Sequence, residues 1–113
     1  MMHPPDLPEI TPTDLKSRLD QGDALLLVDV REHFERRIAD LPEHGQLRIP
    51  TGELFQRMPE LDRKRTVVLY CRSGSRSAWA ARLLLDHGYL DVLNLRGGVL
   101  GWRQEVDPTL QAY

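Results

Sequence analysis

The stretch TVVLYCRSGSRSAWAARLLLDHG, residues 66–88, decides the fold of this 113-residue chain and contains its single cysteine, Cys71. Residues 67–70 form a continuous apolar run, which predicts a buried strand. Residues 75–87 show the spacing of an amphipathic helix, and Gly88 is a typical residue just beyond a helix end. The cysteine therefore lies where a strand stops and a helix starts.

The turn that carries the cysteine is suited to an anion. Backbone N–H groups in such a turn point inward, and a helix N-terminus carries partial positive charge. Arg72 and Arg76 flank the turn, and Gly74 lets the backbone bend so that N–H groups converge on one point. We therefore expect the pKa of the Cys71 thiol to lie below its ordinary value and the thiol to react at neutral pH. A thiol sealed inside the protein interior would contradict this expectation.

Composition limits the classes of function. The formal net charge is -2 with both signs mixed along the chain, so we expect no nucleic-acid partner. The longest apolar runs, residues 24–28 and 67–70, are far too short to span a bilayer, so we expect no membrane partner. One cysteine and four scattered histidines provide no metal site, and we expect no cofactor. The N-terminus lacks a signal-peptide pattern, so a cytoplasmic location is expected.

Strand and helix patterns alternate along the chain. We expect strands at residues 9–10, 24–30, 47–49, 67–70 and 92–95. We expect helices at residues 11–22 with their caps included, 32–38, 52–58, 75–87 and 99–105. The predicted buried face of the helix at 75–87 comprises Ala78, Ala81, Leu84 and Leu85. This alternation predicts an α/β domain at residues 9–105 with a mainly parallel sheet, a flexible arm at 1–8 and a tail at 106–113.

Four segments, in this order and spacing, resemble the rhodanese, or thiosulfate sulfurtransferase, homology domain. They are LLLVDVRE at residues 25–32, Ile49-Pro50, VVLYCRSGSRS at residues 67–77 and NLRGGVLGW at residues 94–102. The resemblance covers roughly residues 9–105. It implies a single rhodanese-like domain in which helices flank a central, mostly parallel sheet of about five strands.

The resemblance also implies roles for individual residues. The family's catalytic loop maps onto residues 71–76, with Cys71 as the sulfur-carrying nucleophile. The residues expected to bind substrate in and beside this loop are Arg72, Ser73, Gly74, Ser75, Arg76 and Ser77. The family's Asp-x-Arg pair maps onto Asp29 and Arg31, which we expect to support the loop as an ion pair rather than to contact substrate. Glu35 is expected to be a surface or supporting carboxylate.

The activity implied by the resemblance is sulfur transfer. A sulfane sulfur would pass from thiosulfate, or a similar small anionic donor, to a thiophilic acceptor through a persulfide on Cys71. Cyanide is the acceptor in assays, and a thiol or a protein sulfur carrier is the expected acceptor otherwise. The acceptor must come from outside, because the chain has no second cysteine to resolve the persulfide.

Two alternatives remain open. Small cysteine phosphatases and arsenate reductases use a related loop that carries a cysteinyl phosphate, but theirs is one residue longer. The six residues from Cys71 to Arg76 favour sulfur, and Tyr70 stands where many cysteine phosphatases carry a histidine. The other alternative is a rhodanese-like binding or regulatory module without turnover, against which the presence of Cys71 argues.

The segment DLPEHGQLRIP, residues 40–50, departs from the family pattern. Most members have a His-Ile-Pro-Gly-Ala-like stretch before the Ile-Pro pair, whereas this segment is about two residues longer and differently composed. His44 is therefore not equated with the family histidine. Because residues 39–48 depart from the family pattern, the resemblance does not predict how they shape the wall of the pocket or which acceptor they favour.

Overall fold

A five-stranded parallel sheet forms the centre of the computed structural model, which describes residues 7–113. The strands are β1 (Glu9–Ile10), β2 (Leu26–Asp29), β3 (Leu47–Arg48), β4 (Val67–Tyr70) and β5 (Val92–Leu95). Their order across the sheet is β1-β5-β4-β2-β3, and each neighbouring pair is parallel. The predicted α/β fold with a mostly parallel sheet is confirmed.

Helices connect the strands. The α-helices are α1 (Pro12–Asp20), α2 (Thr51–Arg57), α3 (Ser75–Asp86) and α4 (Gly98–Glu105), and two short 3-10 helices are His33–Arg37 and Met58–Glu60. Thr11 caps α1 as predicted, because its side chain accepts a hydrogen bond from the N–H of Asp14 at 3.1 Å. The helix predicted at 32–38 is a 3-10 helix, closed by i to i+3 hydrogen bonds.

Both faces of the sheet are covered, which explains why its strands are apolar without alternation. Successive side chains of β4 alternate between the two faces. Val67, Leu69 and Cys71 belong to the core cluster that includes residues of α2 and α3. Val68 and Tyr70 belong to the cluster that includes residues of α1 and α4. Tyr70 and Cys71 therefore point to opposite sides of the sheet.

The buried face of α3 differs from the predicted one. Its buried residues are Ser77, Ala80, Ala81 and Leu84. Ala78 and Leu85, which were predicted on this face, are half-buried. Counting from Ser77, the buried residues follow the i, i+3, i+4 and i+7 positions of one helical stripe. The apolar pattern misplaced the face because a polar residue, Ser77, belongs to it.

Residues near both ends of the described range contact the rest of the domain. Residues 1–6 of the predicted arm lie outside the described residues, while the carbonyl of Pro8 accepts a hydrogen bond from the N–H of Asn94 at 2.9 Å. In the predicted tail, Leu110 and Tyr113 are partly buried against the core. No helix within residues 7–113 has the length and apolar character needed to cross a bilayer.

Candidate active site

The sulfur of Cys71 follows the carboxyl end of β4 and lies beneath the loop of residues 72–76. The N–H of Gly74 donates to Sγ at 3.0 Å, and the N–H and hydroxyl of Ser77 lie within donating distance at 3.4 and 3.3 Å. Gly74 has φ 106°, a left-handed conformation that L side chains rarely adopt. These three donors around Sγ are called the sulfur nest below.

The N-terminus of α4 holds the start of this loop in place. The N–H of Val99 donates to the carbonyl of Cys71 at 2.9 Å, and the N–H of Leu100 donates to the carbonyl of Arg72 at 3.0 Å. A Cβ atom on Gly98 would lie 2.3 Å from the carbonyl oxygen of Cys71, and φ there is +59°. Only glycine permits this approach, so the GGVLGW segment is a clamp on the cysteine loop.

Hydrogen bonds decide the ionisation of the thiol. Burial raises the pKa of the Cys71 thiol, but donation from the Ser77 hydroxyl and from the N–H groups of Ser77, Gly74 and Ser73 outweighs it. The pKa therefore lies below the ordinary value of a thiol, in the direction expected from the sequence. The donors of the sulfur nest favour the thiolate.

The accessibility of the thiol differs from the expectation. Cys71 has 0% of its surface exposed, so the expectation of a thiol that is not sealed inside is wrong for this conformation. The sulfur still differs from that of an ordinary core cysteine, because hydrogen-bond donors surround part of it. In this conformation the atoms around the sulfur cover it from solvent.

The two loop arginines already have partners. Arg76 forms a forked pair with Glu35, at 2.8 and 2.9 Å, and this hydrogen bonding lowers the pKa of Glu35 to about 2. Glu35 is buried, so it is a supporting carboxylate rather than a surface one. Arg72 is exposed, donates from Nε to the carbonyl of Tyr113 and lies 5.3 Å above the centre of the Tyr113 ring.

Asp29 and Arg31 lie at the end of β2 in a fully paired group. Arg31 donates from Nε to Asp29 at 2.9 Å and from a terminal nitrogen to Asp40 at 3.0 Å. Arg48 contacts Asp29 and Asp40, each at 2.7 Å. We call these four residues the charge cluster. Two of them come from the atypical segment 39–48, which therefore builds a structural network beside the loop.

The structure brings some predicted site residues to the sulfur and leaves others away from it. Gly74 and Ser77 contact Sγ through backbone or side chain, whereas the side chains of Ser73 and Ser75 are exposed and make no hydrogen bond to it. Asp29 and Arg31 contact each other and not the sulfur. His33, His44 and His87 are exposed, as expected for surface residues.

Two residues beside the site had no predicted role. Asn94 is a lone polar side chain in an apolar strand, and its side-chain oxygen accepts from Ser77 Oγ at 2.5 Å. A polar residue within an apolar strand is a sequence signal that could have indicated a buried hydrogen-bonding role for Asn94. Tyr113 accepts a hydrogen bond from Arg31 at 2.8 Å and donates to Glu35 at 3.1 Å. No local sequence pattern predicts a role for Tyr113, because its partners lie far away in the chain.

A thiol held by loop N–H groups at the carboxyl edge of a parallel sheet defines a cysteine-loop α/β domain. Residues 11–105 match the family described as the rhodanese-like domain, and the chain belongs to this family. It is 42% identical over 94 residues to a protein named sulfurtransferase from Allochromatium vinosum, covering 83% of this chain and 86% of that one.

A longer relative and a solved structure agree with this assignment. The chain is 36% identical over 109 residues to the probable adenylyltransferase/sulfurtransferase MoeZ of Mycobacterium tuberculosis, covering 92% of this chain but only 26% of that protein. The crystal structure of a rhodanese-related protein from Thermoplasma volcanium superposes with a TM-score of 0.77 at 29% identity, covering 88% of this chain and 93% of that one.

Proposed function

We propose that this chain is a sulfurtransferase that carries sulfur as a persulfide on Cys71, with thiosulfate or a similar anion as donor. In the first step the Cys71 thiolate attacks the outer sulfur of thiosulfate. A bond forms between Sγ and that sulfur, the original sulfur–sulfur bond breaks, and sulfite leaves with the electron pair. In the second step an acceptor nucleophile takes the outer sulfur, and the electron pair of the broken bond returns to Cys71 as a thiolate.

The sulfur nest is the observation that carries this proposal. Its donors are fixed before the reaction by the backbone of the loop, by α3 and by the clamp at Gly98. They lower the free energy of a negative charge on sulfur without a reorganisation step during the reaction. The same donors hold the thiolate before the first step and the persulfide after it.

Loop length and the position of Tyr70 support sulfur over phosphate as cargo. The loop from Cys71 to Arg76 has six residues, one fewer than the loops of the related phosphatases and arsenate reductases. A tetrahedral phosphate is bulkier than a single sulfur atom and needs a wider cradle. Tyr70 points to the other face of the sheet and donates to Asp40 at 2.7 Å, so it does not assist the cysteine.

The acceptor enters from solution. Cys71 is the single cysteine of the chain, so no internal thiol can take the sulfur from it. We propose a thiol or a protein sulfur carrier as the acceptor, with cyanide as its substitute in assays. The names of the relatives from Allochromatium vinosum and Mycobacterium tuberculosis support sulfur transfer as the reaction class.

Intact mass measurement after thiosulfate treatment tests the proposal. We expect the protein to gain one sulfur atom, to lose it again when cyanide is added and to release an equal amount of thiocyanate. Cys71→Ser is the matched control, because it keeps a small polar side chain in the same place, and it should gain no sulfur. A native chain that gains no sulfur from thiosulfate would indicate a binding module without turnover.

A second arm of the experiment addresses the phosphatase alternative. The protein is offered an aryl phosphate and, separately, arsenate under the same conditions. We expect no phosphate release and no arsenate reduction above the level of Cys71→Ser. Phosphate release that depends on Cys71, with no thiocyanate formed from thiosulfate and cyanide, would overturn the proposed function.

A further inference from the structure

Asn94 is a buried polar residue beside the cysteine loop that the proposed mechanism does not use. It lies on β5, pairs in register with Leu69 of β4 and is 3% exposed. Its side-chain nitrogen donates to the carbonyl of Gly74 at 3.1 Å, and its side-chain oxygen accepts from Ser77 Oγ at 2.5 Å. Asn94 thus contacts both residues that supply the donors of the sulfur nest.

The hydroxyl of Ser77 has more acceptors than hydrogens. Its one hydrogen can reach Asn94 Oδ1 at 2.5 Å, Cys71 Sγ at 3.3 Å and the carbonyl of Gly74 at 3.3 Å. The amide oxygen of Asn94 is a stronger acceptor than a neutral thiol sulfur, and its contact is shorter than that to the Gly74 carbonyl, so Asn94 holds the hydrogen while the sulfur is neutral. The sulfur and Asn94 therefore compete for a single donor.

Gly74 fixes which end of the Asn94 amide faces Ser77. The amide nitrogen must face the carbonyl of Gly74, because turning the amide over would place two oxygen atoms against each other. That constraint leaves the amide oxygen directed at the Ser77 hydroxyl. Asn94 is therefore held as an acceptor and cannot become a donor to Ser77.

We propose that Asn94 is a positioning residue that sets the ionisation of Cys71 by competing with its sulfur for the Ser77 hydrogen. In the neutral state the thiol donates to Ser77 Oγ, and Ser77 donates to Asn94. When the thiol proton leaves to solvent, the Ser77 hydrogen turns from Asn94 to the sulfur. The proton count is balanced, and the cost of breaking the Ser77–Asn94 hydrogen bond falls on the thiolate.

The charged groups around the sulfur stay the same in the test. Arg76 approaches from α3, and its pKa is raised mainly by hydrogen bonding to Glu35 and also by the charge of Cys71. Glu35 comes from the 3-10 helix His33–Arg37, and Arg72 lies in the loop itself. Substitutions at Asn94 and Ser77 remove no charge, so a change in the thiol pKa reports the hydrogen bonds.

The substitution Asn94→Ala tests the competition. We expect the pKa of the thiol to fall, so that the thiolate fraction below that pKa rises about three- to tenfold, the size of one neutral hydrogen bond. The measurement is the ultraviolet absorbance of the thiolate against pH, with Cys71→Ser as the blank for tyrosine ionisation, and the single cysteine means that one thiol contributes to the difference. A purely structural role predicts the opposite sign, because a loosened loop loses N–H donors and raises the thiol pKa.

A double-mutant cycle completes the test. In a Ser77→Ala background there is no hydroxyl hydrogen to compete for, so Asn94→Ala should leave the thiol pKa unchanged. Asn94→Val, which keeps most of the volume without a polar atom, is the second variant if the alanine protein folds poorly. An unchanged or raised pKa with Ser77 present, or an equal fall with Ser77→Ala, would overturn the inference.

This inference rests on the proposed role of Cys71 as the nucleophile. The titration needs no sulfur donor, whereas the test of the proposed function measures sulfur gained from thiosulfate. A chain that gains no sulfur while Asn94→Ala lowers the thiol pKa would disprove the sulfurtransferase proposal and leave the competition for the Ser77 hydrogen intact. The reverse result would disprove the role of Asn94 alone.

Discussion

The charge cluster and the sulfur nest lie at the ends of adjacent strands, yet they treat charge in opposite ways. Asp29 of β2 pairs in register with Tyr70 of β4, the residue before Cys71. In the charge cluster, two arginines and two carboxylates form four ion pairs, each with an N–O distance of 3.0 Å or less. In the sulfur nest, the contacts to Sγ come from neutral N–H and O–H groups.

This difference indicates that the charge cluster stabilises the fold and that the sulfur nest serves the chemistry of the thiol. Buried charges that already pair with one another have no free charge to offer to a further anion. They matter for stability, because removing one partner leaves the other charge buried and unpaired. Neutral donors aimed at one atom have the opposite property, because their favourable interaction grows when that atom becomes negative. Removing a member of each group should therefore affect stability in one case and the thiol in the other.

The largest expected effect is the loss of stability on breaking the charge cluster with Arg31→Met. The Arg31 side chain is 0% exposed, so its removal leaves the buried carboxylate of Asp29 with Arg48 as its one remaining arginine partner. We expect a fall of about 3 to 5 kcal/mol in the free energy of unfolding, measured by urea denaturation. The thiol pKa should not move, because Arg31 does not contact the sulfur.

Arg18→Met is the matched control for this substitution. Arg18 pairs with Asp23 at the same 2.9 Å, but the two side chains are 38% and 41% exposed. An exposed pair contributes at most about 1 kcal/mol. Equal losses for Arg18→Met and Arg31→Met, or a shifted thiol pKa in the latter, would contradict the structural role of the charge cluster.

Gly98→Ala should affect the sulfur nest through the clamp. The new Cβ would lie 2.3 Å from the carbonyl of Cys71 at a φ that alanine disfavours, so the loop must move. We expect the free energy of unfolding to fall by about 2 to 4 kcal/mol. We also expect a higher thiol pKa, because the donors of the sulfur nest no longer point at the sulfur. Urea denaturation and thiolate absorbance measure the two effects.

Gly52→Ala supplies the comparison, since a Cβ at Gly52 would meet no atom within 4 Å. Gly52 lies in α2, where alanine favours the helix, so this variant should gain up to about 1 kcal/mol. Its thiol pKa should match that of the native chain. A clamp role for Gly98 is untenable if the two variants leave the thiol with the same pKa.

The elements around Cys71 could be predicted because their signals are local. The run 67–70, the cap at Thr11 and the stop at Gly88 each depend on a few neighbouring residues, and all three agree with the structure within a residue or two. The lowered pKa of the thiol also followed from local facts: a strand end, a glycine bend and a helix start.

The rest of the site could not be predicted, because its contacts join distant parts of the chain. Arg31 and Tyr113 are hydrogen-bonded across 82 positions, and Tyr70 and Asp40 across 30. The burial of Cys71 is also a tertiary property, since it depends on how α3 lies over β4. Ser77 shows the limit of local patterns. It is a polar residue on the buried face of α3, so a prediction based on apolar residues alone placed that face incorrectly.

Glu35→Gln should weaken the link between the loop and the 3-10 helix, with a dependence on pH. The hydrogen bonds from Arg76 lower the pKa of Glu35 from 4.5 to about 2, so the unfolded chain binds this proton first as the pH falls. The pair therefore stabilises the fold fully above 4.5 and loses its effect as the pH falls towards about 2. We expect the variant to lose about 1 to 3 kcal/mol near neutral pH and less in acid.

The exposed pair of Arg57 and Glu60 provides the control for Glu35→Gln. Arg57 also makes two hydrogen bonds to its carboxylate, at 2.8 and 3.0 Å, but the Glu60 side chain is 47% exposed against 6% for Glu35. Glu60→Gln should therefore cost less than Glu35→Gln near neutral pH when both are measured by urea denaturation. A loss in Glu35→Gln that is the same at neutral and acid pH would show that the carboxylate charge is not what stabilises the loop.

The smallest expected effect comes from Tyr113→Phe, which removes the contact that joins the charge cluster to the Glu35–Arg76 pair of the cysteine loop. The Tyr113 hydroxyl accepts from Arg31 of the charge cluster and donates to Glu35, the partner of Arg76. Removing this hydroxyl should lower the free energy of unfolding by about 1 kcal/mol or less and raise the pKa of Glu35 slightly, because one donor to that carboxylate is gone.

Tyr89→Phe is the control for Tyr113→Phe. It removes a buried hydroxyl that donates to the carbonyl of Met58 at 2.7 Å, and it should leave the pKa of Glu35 unchanged. Carboxyl-carbon NMR titration of both variants decides the matter: identical Glu35 titrations would mean that the charge cluster and the cysteine loop are not coupled through Tyr113.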